Sequence, residues 1–211
     1  MFHPVDHPLE RGWVGRIDGD RVVQLAAQTL QSFFTGGGSA REHAEYRLDD
    51  VVFLAPILHP PSIRLFDGQP SFVFANPAAI VGPGASIRAP SGTASDGGLT
   101  VLSRIAGVVG ANGAIEGFTA LAEWRAPALE PPKDRDFALG LGPLVVTMDH
   151  FSDGSGFDWI AAASLAAAGT ALYPGDLLGG PPLESRGPIV RGESVALEID
   201  GIGALEQRVA G

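Results

Sequence analysis

Short apolar runs cut by glycine and proline dominate the chain, and they predict strands more often than helices. Trp13-Val14-Gly15-Arg16-Ile17 and Arg21-Val22-Val23-Gln24-Leu25 flank Asp18-Gly19-Asp20, a strong signal for a tight hairpin. Residues 25–34, LAAQTLQSFF, repeat apolar positions at helical spacing and predict a helix ended by Gly36-Gly37-Gly38. A polar stretch, SAREHAEYRLDD, follows and leads to Leu48-Asp49-Asp50. VVFLAPIL (51–58) then predicts a fully apolar strand cut by Pro56 and stopped at His59-Pro60-Pro61. Further strands are predicted in SFVFANPAAIVGPGASI, at 99–102, from Ile105 into the turn at Asn112-Gly113, at 117–125, and in LGPLVVTMDHF. FDWIAAASLAAAG predicts a helix with Asp158 as its N-cap and Gly169 as its stop. The tail, GESVALEIDGIGALEQRV, predicts a hairpin turning at Asp200-Gly201.

This pattern predicts a mixed α+β, β-rich fold, with a small α+β appendage at residues 1–47 and a main β-rich domain at 48–211. Composition agrees. Glycine and proline make up about 22% of the 211 residues, enough for many turns but below the level that marks disorder. A net charge of −10 argues against nucleic-acid and anionic-membrane partners, which require a surplus of cations. The absence of cysteine excludes disulfides, thiolate nucleophiles and cysteine-ligated metals. MFHPVDHPLERGW lacks the apolar core of a signal peptide, and no apolar run is long enough to span a bilayer, so a cytoplasmic location is expected. The cations are lopsided: Lys133 is the single lysine among 14 basic residues.

Several segments, in collinear order, resemble the fumarylacetoacetate hydrolase family. RGWVGRIDGDRVVQLA is similar to that family's small leading domain, and LDDVVFLAP to the start of its main domain. FANPAAIVGPGASI resembles K-P-x-S-A-I-V-G-P-G-D-x-I, and LGLGPLVVTMD resembles C-P-L-G-P-W-I-V-T. LYPGDLL and GESVALEIDGIGALEQRV resemble the closing L-x-P-G-D-V-I and G-D-x-V-x-V-E-I-x-G-I-G-x-L-x-N-x-V. The resemblance implies a β-roll or pseudo-barrel, dimeric with itself or with a homologue. It also implies cleavage, decarboxylation or isomerisation of small β-dicarbonyl or keto acids on magnesium or manganese. Such acids chelate a hard cation through oxygen, and the cation stabilises the developing enolate.

The same resemblance assigns candidate residues. The family's E-x-E pair falls on Asp96-Gly97-Gly98 and its later aspartate on Glu123, so Asp96 and Glu123 are the candidate metal ligands and Gly98 has no side chain to offer. Lys133, with Asp136, matches the lysine of K-S-F-D-x-F-x-P-L-G-P and is the candidate catalytic cation, a point charge in an arginine-biased chain. Other parts are missing. The histidine loop expected between Ile63 and Phe72 is only RLFDGQPS, the substrate arginine position is Pro127, and the T-G-T-P motif becomes Gly179-Gly180-Pro181-Pro182. Arg125, two residues before Pro127, is a weak substitute, and Trp124 reads as a packing residue. The sequence does not say whether Asp67 or Glu116 replaces a missing ligand. Two principal readings therefore stand: a divergent keto-acid enzyme with a weakened metal site, and a non-catalytic relative that serves as a structural or regulatory subunit. A third is a metal-free enzyme with a rebuilt pocket.

Overall fold

A computed structural model describes residues 1–68, 71–91, 93, 98–152 and 154–211. After a short strand β1 (Phe2–Pro4), the expected hairpin forms from β2 (Gly15–Asp18) and β3 (Arg21–Leu25), with Asp18 opposite Arg21. Gly19, at φ +58°, takes the left-handed turn position that L side chains resist. The first helix, α1 (Leu30–Thr35), is shorter than the periodicity predicts. Leu25 is still paired in β3, and Thr29 caps the helix. Its Oγ1 accepts from the Ser32 amide while Ser32 Oγ accepts from the Thr29 amide, a reciprocal capping box.

The polar stretch after Gly38 is also a strand, β4 (Glu42–Arg47), paired antiparallel with β3. Its mostly exposed side chains hide it from a search for apolar runs. Cross-strand charge stands in their place, with Arg21 Nη1 2.6 Å from Glu45 Oε2. His43 is exposed on this strand. The VVFLAPIL run forms a strand only at β5 (Val51–Phe53), which pairs with β1; Ala55 and Ile57 continue as buried irregular chain.

The main sheet gathers β6 (Ile63–Gly68), β7 (Ser71–Ala75), β8 (Ile80–Val81), β10 (Leu99–Val109) and β11 (Ile115–Arg125), while β9 (Ser86–Ile87) joins another sheet. It is completed by β12 (Leu139–Leu141), β13 (Val146–Thr147), β14 (Leu177–Gly179) and β15 (Glu184–Ile189), in the path β7-β6-β14-β10-β11-β12-β8 with β13 on β11 and β15 on β10. The strand expected in LGPLVVTMDHF is reduced to the two residues of β13, with Leu141 as the last residue of β12. The second helix, α2 (Trp159–Ala167), is capped as predicted by Asp158, whose Oδ1 accepts from the Ala161 amide. The closing hairpin of β16 (Ser194–Ile199) and β17 (Gly203–Val209) also forms, and β9 adds to β17 in parallel.

β10 and β11 are the spine. Leu102 lies opposite Glu123 and Arg104 opposite Leu121, and directly opposed residues share a face. One face carries Val101, Ile105, Ala120 and Trp124 against Leu197 and Leu205 of the closing hairpin. The other carries Ala106, Val108 and Leu121 against Leu65, Leu141 and Leu177. Burial on both faces explains why β10 reads as a nearly continuous apolar run rather than an alternating one. Trp124 is a packing residue, with Nε1 donating to Gln207 Oε1 at 2.7 Å. Among the described residues no helix is long and apolar enough to cross a membrane.

Candidate functional site

Glu123 and Arg125 are two apart on β11, so strand periodicity puts both side chains on one face. Arg104 of β10 points to the same face, diagonal to Glu123. Arg104 is fully buried, and an arginine there requires partners for all of its donors. It has them. Nε and Nη2 both reach Glu123 Oε2, at 2.8 and 2.7 Å. Nη2 also donates to Asp67 Oδ1, while Nη1 donates to the carbonyls of Phe66 and Gly180 at 2.9 and 2.8 Å. The five guanidinium N–H groups thus serve five acceptor contacts.

Glu123 is saturated in the same sense. Its Oε1 receives Nε and Nη2 of Arg125, both at 2.8 Å, and its Oε2 receives the two donors of Arg104. Four charge-assisted contacts occupy the roughly four acceptor sites of a carboxylate. Arg135 completes the surroundings. Its guanidinium is held above the ordinary arginine range chiefly by its hydrogen bonds to Asp134, opposed by partial burial and helped by the charges of Asp134, Glu123 and Asp67. Three guanidinium groups and three carboxylates therefore balance across the cluster. Asp67, 56% exposed, is its opening to solvent.

The candidate residues are distributed unevenly over this arrangement. Glu123 lies at its centre, whereas Lys133 is 74% exposed and pairs with Asp136, Nζ to Oδ2 at 2.7 Å. The residue that feels the charge of Glu123 is Arg135, two positions further along the same loop. Asp96 lies outside the described residues. Gly98 is at φ +60°, and a Cβ there would meet Pro188 Cβ at 2.7 Å, so the backbone itself resists a larger side chain at that ligand position. Of the alternative carboxylates, Asp67 does reach the cluster, though it faces Arg104; Glu116 lines a separate cavity at the far end of β11. That cavity, about 830 Å³, is walled by apolar groups such as Phe2, Leu25, Phe33 and Val146, and neither Glu123 nor Lys133 borders it.

A divalent cation does not fit these residues as they stand. Magnesium needs open oxygen lone pairs at short range, and both oxygens of Glu123 are already engaged by guanidinium groups. Among the described residues no group of three or more histidine, aspartate or glutamate side chains is placed to hold a metal. Arg104 is the residue that sequence reasoning missed. Its signal was present as a lone charge inside LTVLSRIAGVV, a strand otherwise apolar or small, where burial demands a counter-ion.

No family model matches the sequence, and no curated protein matches it. Solved structures do. Maleylpyruvate hydrolase from Sphingobium sp. SYK-6 superposes with a TM-score of 0.79 over 95% of this chain and 97% of its own, at 18% identity. It has also been solved with manganese(II) and pyruvate. The 5-carboxymethyl-2-hydroxymuconate delta-isomerase of Mycobacterium smegmatis gives 0.73 over 99% and 97%, at 22% identity. A 2-keto-3-deoxy-D-arabinonate dehydratase complexed with magnesium and 2,5-dioxopentanoate gives 0.76 over 96% of each chain, at 17% identity. The agreement spans nearly the whole of each chain and bears out the architecture inferred from the motif order: this chain has the fumarylacetoacetate hydrolase-like fold.

Proposed function

We propose that this protein is a fumarylacetoacetate hydrolase-fold chain in which an internal ion-pair cluster stands where metal-dependent carbon–carbon chemistry would need an open ligand. In this reading it acts in the cytoplasm as a non-catalytic subunit, pairing with itself or with a homologous chain. One observation carries the reading: both carboxylate oxygens of Glu123 are held by Arg104 and Arg125. Seating a metal on Glu123 would require breaking a buried ion pair, at a cost of about 3–5 kcal/mol before any ligand bond forms. Two further features support it. In the segment where the family resemblance expects a histidine, the described residues belong to the paired strands β6 and β7, and Lys133 is a largely exposed side chain tied to Asp136.

The second reading, a keto-acid enzyme, is favoured by the neighbours solved with manganese and pyruvate or with magnesium and 2,5-dioxopentanoate. There Asp96 and Glu123 would be the metal ligands, and Lys133 would place its ammonium beside the substrate oxygens. Assays of acylpyruvate cleavage and oxaloacetate decarboxylation, with and without magnesium or manganese, separate the two. The subunit reading predicts no turnover under either condition, and co-purification with a homologue or self-association by light scattering. Metal-stimulated turnover that falls sharply in Lys133→Ala would overturn it in favour of the enzyme.

A further inference from the structure

We infer that the Arg104 guanidinium is a tethered cation seated in a site made of hard oxygens, and that deleting its side chain turns the same place into a site for a free cation. The acceptors around it come from three separate parts of the chain. Glu123 Oε2 comes from β11, Asp67 Oδ1 and the Phe66 carbonyl from the end of β6, and the Gly180 carbonyl from the residue after β14. Two carboxylates and two backbone carbonyls, all gathered around one buried guanidinium with Asp67 on its solvent side, form the kind of oxygen set that suits magnesium, manganese or calcium. In the native chain that point is filled by a group carried on a covalent stem.

The charge arithmetic leads the same way. With Arg104 present, its positive charge faces Asp67 and one side of Glu123, while Arg125 covers the other side of Glu123. Without it, one negative charge in the cluster loses its counter-ion and the carbonyls of Phe66 and Gly180 lose their donors. Buried acceptors left in that state are costly, so any cation that can enter is favoured. Arg104→Ala leaves a hole that matches ethylguanidinium in shape. Because the native cation is covalently attached, the stability of the native protein does not depend on a free cation, whereas that of the variant does. The inference goes beyond the subunit reading, since it does not require that the chain lack turnover.

Thermal unfolding tests it directly. The native protein is expected to keep one unfolding midpoint with EDTA, with millimolar manganese or magnesium, and with ethylguanidine. Arg104→Ala should unfold roughly 10 °C lower. Ethylguanidine or manganese should restore several degrees in a saturable way, whereas ethylamine or sodium chloride at matched ionic strength should restore less. Arg104→Met, which fills the hole with an uncharged stem, should be destabilised and unresponsive to either cation. If Arg104→Ala is insoluble alone, the same comparison is read as recovery of folded protein on refolding with each cation. The inference is overturned if EDTA lowers the native midpoint and manganese restores it. It is equally overturned if Arg104→Ala keeps the native midpoint, or if no cation raises the midpoint or the refolding yield of that variant.

Discussion

Glu123→Gln is the most informative single change, because it keeps the shape of the side chain and removes only its charge and half of its acceptor capacity. The native carboxylate receives four guanidinium contacts between 2.7 and 2.8 Å. In the variant, one terminal atom becomes an amide nitrogen that must point at either Arg104 or Arg125. Arg104 is fully buried and keeps only the largely exposed Asp67 as a counter-ion, whereas Arg125 can turn partly to solvent. Removing one partner of a buried pair costs about 3–5 kcal/mol, less than the gross strength of four charge-assisted bonds because the native cluster already bears a desolvation penalty. For a chain of this length the midpoint of thermal unfolding should fall by roughly 6–20 °C. Equilibrium urea unfolding of native and variant protein, compared at equal slope, gives the free-energy difference. A loss below about 1 kcal/mol would refute the argument that Glu123 is the hub of a buried network.

Other positions test other links of the account. Lys133→Ala should lower stability by no more than about 0.5–1 kcal/mol, because an exposed pair contributes little; a larger loss in urea unfolding would contradict its placement at the surface. Gly140→Ala should destabilise by about 1–3 kcal/mol through overpacking. The new Cβ would clash with the Gln207 side-chain amide that accepts from Trp124, so tryptophan fluorescence should shift along with the midpoint. Asp149 is held below the usual carboxylate range, first by a hydrogen bond with the Thr147 side chain and then by His150. Its contribution to stability is therefore present above its ordinary pKa and lost as the pH falls through the lower folded value. Thr147→Val should move that pKa back towards normal in an NMR titration.

Local signals account for what was legible in the sequence. Asp18-Gly19, Asp200-Gly201 and the Asp158 cap each act within a few residues, and each forms as expected. β4 escaped because its polar side chains are mostly exposed, which leaves no apolar pattern to read. α1 was overextended because Leu25 serves a strand and its apolar neighbours fit the helical period by chance. Of the candidate site, the strand bearing Glu123 was legible, but its partners were not. Arg104 is 19 residues from Glu123, while the Phe66 and Gly180 carbonyls that hold Arg104 are 38 and 76 residues from it, and only sheet pairing brings them together. A carboxylate matched by type to a metal ligand gives no sign in the sequence that two arginines have already engaged it.

The central claim is that Glu123 belongs to an internal guanidinium cluster and is closed to divalent cations. Isothermal titration of the native protein with manganese and magnesium tests this most directly, with Glu123→Gln as the reference. The account predicts no saturable binding below millimolar concentration that depends on Glu123. A single site of micromolar affinity, present in the native protein and lost in Glu123→Gln, would contradict it.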